Sequence, residues 1–360
     1  MMQGIVKNKM MLFISTYPNS ENEKEGMVQR IKAIDDAYIT VERTYLEISL
    51  RRNIAKKICK QGLVSIFYLN LFLHLLTIIQ LLIAAKVIYV HSVYNSIKIL
   101  PAYFLKNTKI ITDMHGAVPE ELAFCGNKIL SVLFEVVERV VIHRSWKIIS
   151  VTTAMSTHFA SKHRRVTSED FVIPIMNLKN IQSDYPSKIL NINRIPLVIY
   201  AGGINKWQNV SLMLDAVKQN TSARYRFLTG SPEVIKNMAV AVGLDSLDIQ
   251  SVSAEIVYDH YKEADYGFLL RDDHLLNRVA CPTKAIEYMA TGVIPIVLCV
   301  EIGDLKAMGY RYVTLNDFLS GVLPNQDGLE EMRNINKIIV KKLAERMTTE
   351  LDTLGSLTDR

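Results

Sequence analysis

Leu269-Leu270-Arg271-Asp272-Asp273-His274-Leu275-Leu276-Asn277-Arg278-Val279-Ala280-Cys281-Pro282-Thr283-Lys284-Ala285-Ile286-Glu287-Tyr288-Met289-Ala290-Thr291-Gly292 reads as a strand, a polar loop and a short helix in succession. The strand ends at Leu270 and the loop runs to Pro282, a residue favoured at the first turn of a helix. Gly292 supplies a left-handed stop, so the helix has about nine residues. Lys284 and Glu287 are three apart and share one of its faces. The free N–H groups of the first turn, with the helix dipole, make a site for an anion such as a diphosphate. Lys284 adds positive charge, and Glu287, one turn deeper, can accept two hydroxyl hydrogen bonds, as a ribose diol would offer. The alternative is a surface Lys–Glu pair on an ordinary helix.

Outward from this unit, short apolar strands alternate with amphipathic helices, the pattern of a mostly parallel sheet covered on both faces. The spacing predicts strands at 196–201, 224–228, 248–252, 266–270 and 293–298, with helices at 210–219, 232–242, 255–264 and 282–290. An earlier series predicts strands at 10–14, 45–50, 87–90, 109–112, 147–151 and 171–174. A long helix between Lys128 and Arg144 carries Leu130, Leu133, Val137, Val140 and Val141 at helical spacing. Polar residues and Pro dominate 177–193, the best linker. The expected fold is α/β, with two Rossmann-like domains at 1–180 and 195–328 facing across a cleft, ligands binding at the carboxyl ends of the strands. A charged helical piece at 329–360 is expected on the surface, packing back on the first domain. No internal repeat of fixed period is present.

A chain of 360 residues holds roughly two domains at ~150 residues each. It is 49% hydrophobic and 22% charged, which permits a sizeable core and excludes a disordered or collagen-like chain. The net charge of +6 is too weak to point to nucleic acid as a partner. Cys59, Cys125, Cys281 and Cys299 are scattered without a CxxC pair, which suggests reduced thiols rather than a disulfide framework or a zinc site. Lys7 and Lys9 precede an apolar run too short for a secretory signal. From Leu63 to Ala85 there is no Asp, Glu, Lys or Arg, and five basic residues lie just before, between Arg51 and Lys60. The favoured reading of the apolar run is a buried helix feeding the strand at 87–90; its length would also span a bilayer. The basic cluster is either an attachment to an anionic membrane surface or a solvated helix face.

The run Pro282-Thr283-Lys284-Ala285-Ile286-Glu287-Tyr288-Met289-Ala290-Thr291-Gly292 resembles the P-x-K-x-x-E-Y-x-A-x-G signature of GT-B glycosyltransferases, closest to the retaining family-4 type of bacterial surface polysaccharide synthesis. The resemblance implies that Glu287 binds the ribose of a nucleotide-sugar donor, and that Lys284 and the helix start at Pro282 and Thr283 lie near its diphosphate. Two departures stand out. Gly292-Val293-Ile294-Pro295 puts the following Pro one place late. The second Glu that many members carry eight positions earlier is Val279 here; Asn277, Asp272 and Asp273 sit nearby, none of them in register.

Tyr200-Ala201-Gly202-Gly203-Ile204-Asn205-Lys206-Trp207-Gln208-Asn209 resembles the family's glycine turn, which lets backbone approach a phosphate. Lys206 is the implied diphosphate contact; Gly203 stands where the family has Arg, and Arg271 could supply that charge or be a solvated loop base. Thr229-Gly230-Ser231 resembles the turn near the base, or is a simple strand-to-helix turn. Thr112-Asp113-Met114-His115-Gly116-Ala117-Val118-Pro119-Glu120-Glu121 resembles the D-x-H-G…P-E-E loop of the same enzymes. There His115 would hydrogen-bond the donor sugar or meet developing charge, with Asp113 orienting it or capping the loop and Gly116 on the acceptor side. Gly26, and more weakly Arg30, match a loop near the phosphates and the acceptor.

The resemblance implies a glycosyltransferase moving a hexose from a nucleoside-diphosphate sugar to a saccharide or lipid-linked saccharide acceptor, with retention of configuration. Lys206, Lys284 and Arg271 would stabilise the departing diphosphate. Asp272-Asp273 is adjacent rather than alternating, which fits a metal-independent enzyme, and no cofactor beyond the donor is expected. The expected location is the cytoplasm, with peripheral attachment to the inner membrane face through Arg51–Lys60 as an open alternative. Two other readings share the fold: a nucleotide-sugar 2-epimerase, which would leave the 51–85 block without a role, and a non-catalytic nucleotide-sugar-binding subunit, which Val279 keeps open.

Overall fold

A computed structural model describes residues 11–19, 22, 26–165, 170–178 and 195–358. The chain forms two compact units, one of residues 1–175 with 346–360 and the other of residues 176–345.

The first unit is built on an eight-stranded sheet of β1 (Met11–Ile14), β2 (Arg43–Ser49), β3 (Lys57–Gln61), β4 (Val64–Asn70), β5 (Val87–His91), β6 (Lys109–Met114), β7 (Lys147–Ser150) and β8 (Phe171–Val172). Its order is β3-β4-β2-β1-β5-β6-β7-β8, parallel throughout except for β3, which runs antiparallel to β4 at the edge. Every residue of β1 and β5 is buried, as expected of strands covered on both faces. Phe13 at the centre stacks on Tyr45 at 4.7 Å and packs against Tyr38 and Tyr89.

The apolar run at 63–85 departs from the expected single buried helix. It is strand β4, a turn, and the helix Leu75–Ala84. Asn70 makes the break: its side-chain oxygen accepts from the backbone N–H of Phe72 and Leu73, its amide donates to the carbonyls of Leu50 and Arg52, and its own N–H donates to His74 Nδ1. These local bonds offer the backbone an alternative to a continuing helix. Among the described residues no helix is long and apolar enough to cross a membrane. The basic segment before the run is likewise not a helix face; it is an exposed loop leading into the edge strand β3.

The second unit carries a parallel six-stranded sheet of β9 (Leu197–Ala201), β10 (Arg224–Leu228), β11 (Asp248–Gln250), β12 (Tyr266–Leu269), β13 (Ile294–Val297) and β14 (Val313–Thr314), ordered β11-β10-β9-β12-β13-β14. The two-residue β14 is an element that the alternation did not predict. One core cluster joins Tyr200, Phe227 and Phe268 to the helix Val210–Gln219 and to Phe318; another joins Ile199, Tyr261 and Tyr288. The last helix, Gln326–Thr358, runs without interruption, and its residues from Arg346 onward belong to the first unit. There the Tyr38 hydroxyl donates to the carbonyl of Leu354 at 3.2 Å. The 177–193 linker falls largely on residues 179–194, outside the described residues.

Candidate functional site

The helix predicted after Pro282 is Thr283–Thr291, with Pro282 as its N-cap and Gly292 in the left-handed region at φ 74°. It is buried almost all round, because Tyr288 sits beneath the sheet: a Cβ on Gly267 of β12 would lie 2.4 Å from the Tyr288 ring. Only glycine leaves room for that packing. It holds the helix start, and with it Lys284, beside the end of β9.

Lys284 is not the surface partner of Glu287 that the alternative reading allowed. Its ammonium is buried, 3.9 Å from the centre of the Tyr200 ring, and donates to Gln208 Oε1 at 3.2 Å. The role of Gly202 follows from this contact. A Cβ there would fall 2.5 Å from Lys284 Nζ and 3.1 Å from the Tyr200 hydroxyl oxygen, so the glycine clears space for the ammonium. Gly203 contributes its carbonyl, which accepts from the Tyr200 hydroxyl.

Arg271, at the end of β12, is the second cation of this nest. Burial, then the Arg271 charge, hold the Lys284 ammonium well below its ordinary pKa, against the pull of Glu287. Burial lowers Arg271 as well. Its Nη1 donates to Asn277 Oδ1 at 3.3 Å, while its Nε is buried without a hydrogen-bond partner. Asn277 in turn donates to the carbonyl of Asp272 at 2.8 Å, which braces the loop. A buried ammonium beside a half-buried guanidinium with an unpartnered, buried Nε–H is costly as it stands, and an anion seated between the two would offset that cost.

One turn along, the Glu287 carboxylate accepts from the Tyr261 hydroxyl at 3.1 Å. Burial raises its pKa, with the Tyr261 and Tyr258 hydroxyls and Lys284 opposing. Lys206 lies exposed on the 3-10 turn Lys206–Gln208, two residues before Gln208. Gly230 is exposed in the turn after β10, and Val279 is buried. The residues that the sequence did not single out are Tyr200, Gln208 and Tyr261. The first two stand inside the quoted glycine stretch; Tyr261 carried no signal, since it arrives from another helix.

In the first unit, Asp113 at the end of β6 is fully buried in a polar cluster. Arg30 donates to it from Nε at 2.9 Å and from Nη2 at 3.1 Å, and the Tyr89 hydroxyl donates at 2.6 Å. Burial would raise the Asp113 carboxyl, but Arg30 and His91 hold it well below the usual range. Arg30 is therefore a buried counter-ion rather than a phosphate contact. It also donates to the carbonyls of Ile173 and Pro174, tying β8's end to the helix Gly26–Asp36. Most of the loop before Gly26 lies outside the described residues. His91 stacks on His115 at 4.3 Å, and His115 Nδ1 and His91 Nε2 are buried without hydrogen-bond partners. Burial and the neighbouring His91 push the His115 imidazole down to about 3, so it stays neutral near pH 7. Gly116 follows it, with the Glu121 carboxylate 3.8 Å from where a Cβ would be.

Among the described residues, two groups of side chains have ligand atoms close enough together for a cation: His91, Asp113 and His115, and Glu135, Glu138 and His163. In the first, Arg30 already occupies both Asp113 oxygens; in the second, Lys162 bridges Glu135 and Glu138 at 2.7 Å each. Both are better described as ion-pair networks. A cavity of about 330 Å³ opens beside Tyr17, Lys32, Asp35, Asp36 and Gln61, and no motif residue lines it.

No protein-family model and no curated protein matches the chain. Solved structures do. Sucrose-phosphate synthase from Thermosynechococcus elongatus aligns with a TM-score of 0.66 and 13% identity over 97% of this chain and 98% of that one. HepE of Anabaena, in complex with UDP-glucose, aligns with a TM-score of 0.68 and 12% identity over 96% and 99%. An α,α-trehalose-phosphate synthase (UDP-forming) from Burkholderia vietnamiensis aligns with a TM-score of 0.65 and 12% identity over 98% and 99%. Similarity over the full length at such low identity establishes the architecture: the chain has the GT-B fold, two α/β units each built on a mainly parallel sheet.

Proposed function

We propose that this protein is a glycosyltransferase that moves a hexose from a nucleoside-diphosphate sugar to a saccharide acceptor, lipid-linked, in surface polysaccharide synthesis. The observation that carries the reading is the nest of Lys284 and Arg271 beside Gly202, a buried ammonium next to a half-buried guanidinium whose buried Nε–H has no partner. Such an arrangement suits the diphosphate of a donor. As the glycosidic bond to the diphosphate breaks, negative charge grows on the leaving oxygen, and fixed cations in a dry site stabilise that state more than the ground state. Lys284 gains most, since its ammonium is held below its ordinary pKa until an anion arrives. The motif resemblance assigns the ribose hydroxyls to Glu287 and the hydrogen bond to the donor sugar to His115, which is neutral and has a buried Nδ1 without a partner.

Retention of configuration and metal independence belong to this reading through the motif resemblance, as does attachment of the Arg51–Lys60 segment to an anionic membrane. A thermal-shift screen over UDP-, GDP- and dTDP-hexoses identifies the donor, since a ligand bound only by the folded state raises its stability. Nucleotide release in the presence of a lipid-linked oligosaccharide extract then measures transfer. Glu287→Ala is expected to abolish turnover of the selected donor; unchanged turnover would sink the assignment. Val279, where a second carboxylate would stand, supports one rival, a donor-binding subunit without catalysis. Donor binding without transfer to any acceptor selects that rival.

A further inference from the structure

We infer that His91, which no motif marks, is a positioning residue for His115: it fixes the plane of the His115 ring and ties that ring, through Tyr89 and Asp113, to Arg30. The inference rests on the proposed function only for what His115 then does with a donor sugar; the arrangement itself lies wholly within the first unit.

Strand alternation brings four side chains to one face of the sheet. Tyr89 and His91 are two apart on β5, Asp113 and His115 are two apart on and just beyond β6, and the parallel register pairs His91 with Asp113. Tyr89, His91 and Asp113 are each no more than 1% exposed. The His91 and His115 rings stack with their centres 4.3 Å apart and their planes 19° apart. His115 Nδ1 has no hydrogen-bond partner among the described residues. The outer torsion of a histidine has broad energy wells, so a ring not bonded at Nδ1 takes its plane from what lies against its face. Here that is His91.

His91 is itself aimed by hydrogen bonds. The Tyr89 hydroxyl gives its one proton to Asp113 Oδ2 at 2.6 Å, since the carboxyl, paired with Arg30, is ionised. The Tyr89 oxygen therefore meets His91 Nδ1, 3.2 Å away, as an acceptor, and His91 carries a proton on Nδ1. His91 Nε2 is buried with no partner among the described residues. An apolar side chain of similar size would avoid that cost, so filling space does not account for a histidine here. The backbone adds a second cost at the same place: Ser92 sits at φ 72° and ψ 148°, a region that glycine alone enters freely. Two bonds hold it there. The Ser92 N–H donates to the Asp113 carbonyl at 3.0 Å, and Asn95 Nδ2 donates to the His91 carbonyl at 2.7 Å. Strain of this kind persists only where the surroundings over-determine it, and what it fixes here is the direction of the His91 ring.

The test is nitrogen NMR of the whole protein with isotope-labelled histidine, assigned by single substitutions. In the wild type, His91 is expected with its proton on Nδ1, and His115 as one sharp set of ring signals. His91→Ala should broaden or split the His115 signals; His91→Phe, which restores a flat ring, should return them to one set. Tyr89→Phe removes only the hydroxyl and should move the His91 proton toward Nε2 and shift the His115 signals; it carries the test if thermal unfolding shows that His91→Ala does not fold. With a donor selected by thermal shift, His91→Ala should lower kcat at least about tenfold and leave KM within about threefold, because a misaimed group loses contacts of the transition state more than binding. His91→Phe should recover most of that loss. Three results would overturn the inference: His115 signals unchanged in a folded His91→Ala or Tyr89→Phe protein, His91→Phe no closer to wild type than His91→Ala, or a wild-type His91 protonated only on Nε2. A wild-type protein that turns over no donor would sink the proposed function instead, and the NMR comparison would still decide the role of His91.

Discussion

Replacing Lys284 by methionine tests the diphosphate nest, because stability and binding should move in opposite directions. The side chain is buried beside Arg271, its ammonium meeting the Tyr200 ring and one neutral acceptor, Gln208. Exchanging a buried charge for an apolar group of similar volume is commonly neutral or stabilising. The ligand-free Lys284→Met protein should therefore unfold no more easily than the wild type. Its dependence on pH should also change. The folded state holds this lysine below its ordinary 10.5, so between the two values the unfolded chain binds the extra proton and wild-type stability rises with pH. One proton contributes at most about 1.4 kcal/mol per pH unit to that slope, and the variant lacks it. Donor binding should suffer, since a charge-assisted hydrogen bond to a diphosphate contributes about 1.5–3 kcal/mol, or about 10- to 150-fold in Kd. Urea unfolding at pH 7 and 9, with calorimetry of UDP, GDP and dTDP, measures both sides. A variant that loses several kcal/mol without ligand while keeping wild-type nucleotide affinity would refute the nest.

Three further outcomes follow from the same geometry. Arg30→Met strands the buried Asp113 carboxylate and should cost about 3–5 kcal/mol in urea unfolding, part of which Asp113→Asn in the same chain restores. His115, held at about 3, should stay neutral from pH 8 to 5 by NMR; because the unfolded imidazole takes up its proton below about 6.5, this residue lowers stability as pH falls from about 6.5 toward 3, and a midpoint near 6.5 in the folded protein would contradict the burial. Gly267→Ala drives a methyl into the Tyr288 ring and should cost about 1–3 kcal/mol by thermal unfolding, a loss that Tyr288→Leu relieves if the contact is its cause.

How far the site was legible varied with the range of the interaction involved. The helix Thr283–Thr291 and its stop at Gly292 follow from proline, glycine and spacing, all of which act within a few residues. The same is true of the alternation that placed β9, β10, β12 and β13. The apolar run at 63–85 defeated composition because length and hydropathy suit a buried helix, a span, or a strand and a helix equally. The deciding bonds were made by the Asn70 side chain.

Local spacing determined which residues share a turn, a strand end or a helix face, and so it could nominate Lys284 and Glu287 from the chain alone, while His115 was nominated by the motif resemblance. Burial is a property of what arrives from elsewhere. β12 lies beside β9, and the helix bearing Tyr261 packs under Glu287; these non-local contacts turned a lysine that could have been solvated into a desolvated group beside Arg271, and left Lys206 exposed. Electrostatic cost depends on the surrounding dielectric, which is set by packing between segments distant in sequence, and so only the tertiary structure decides it.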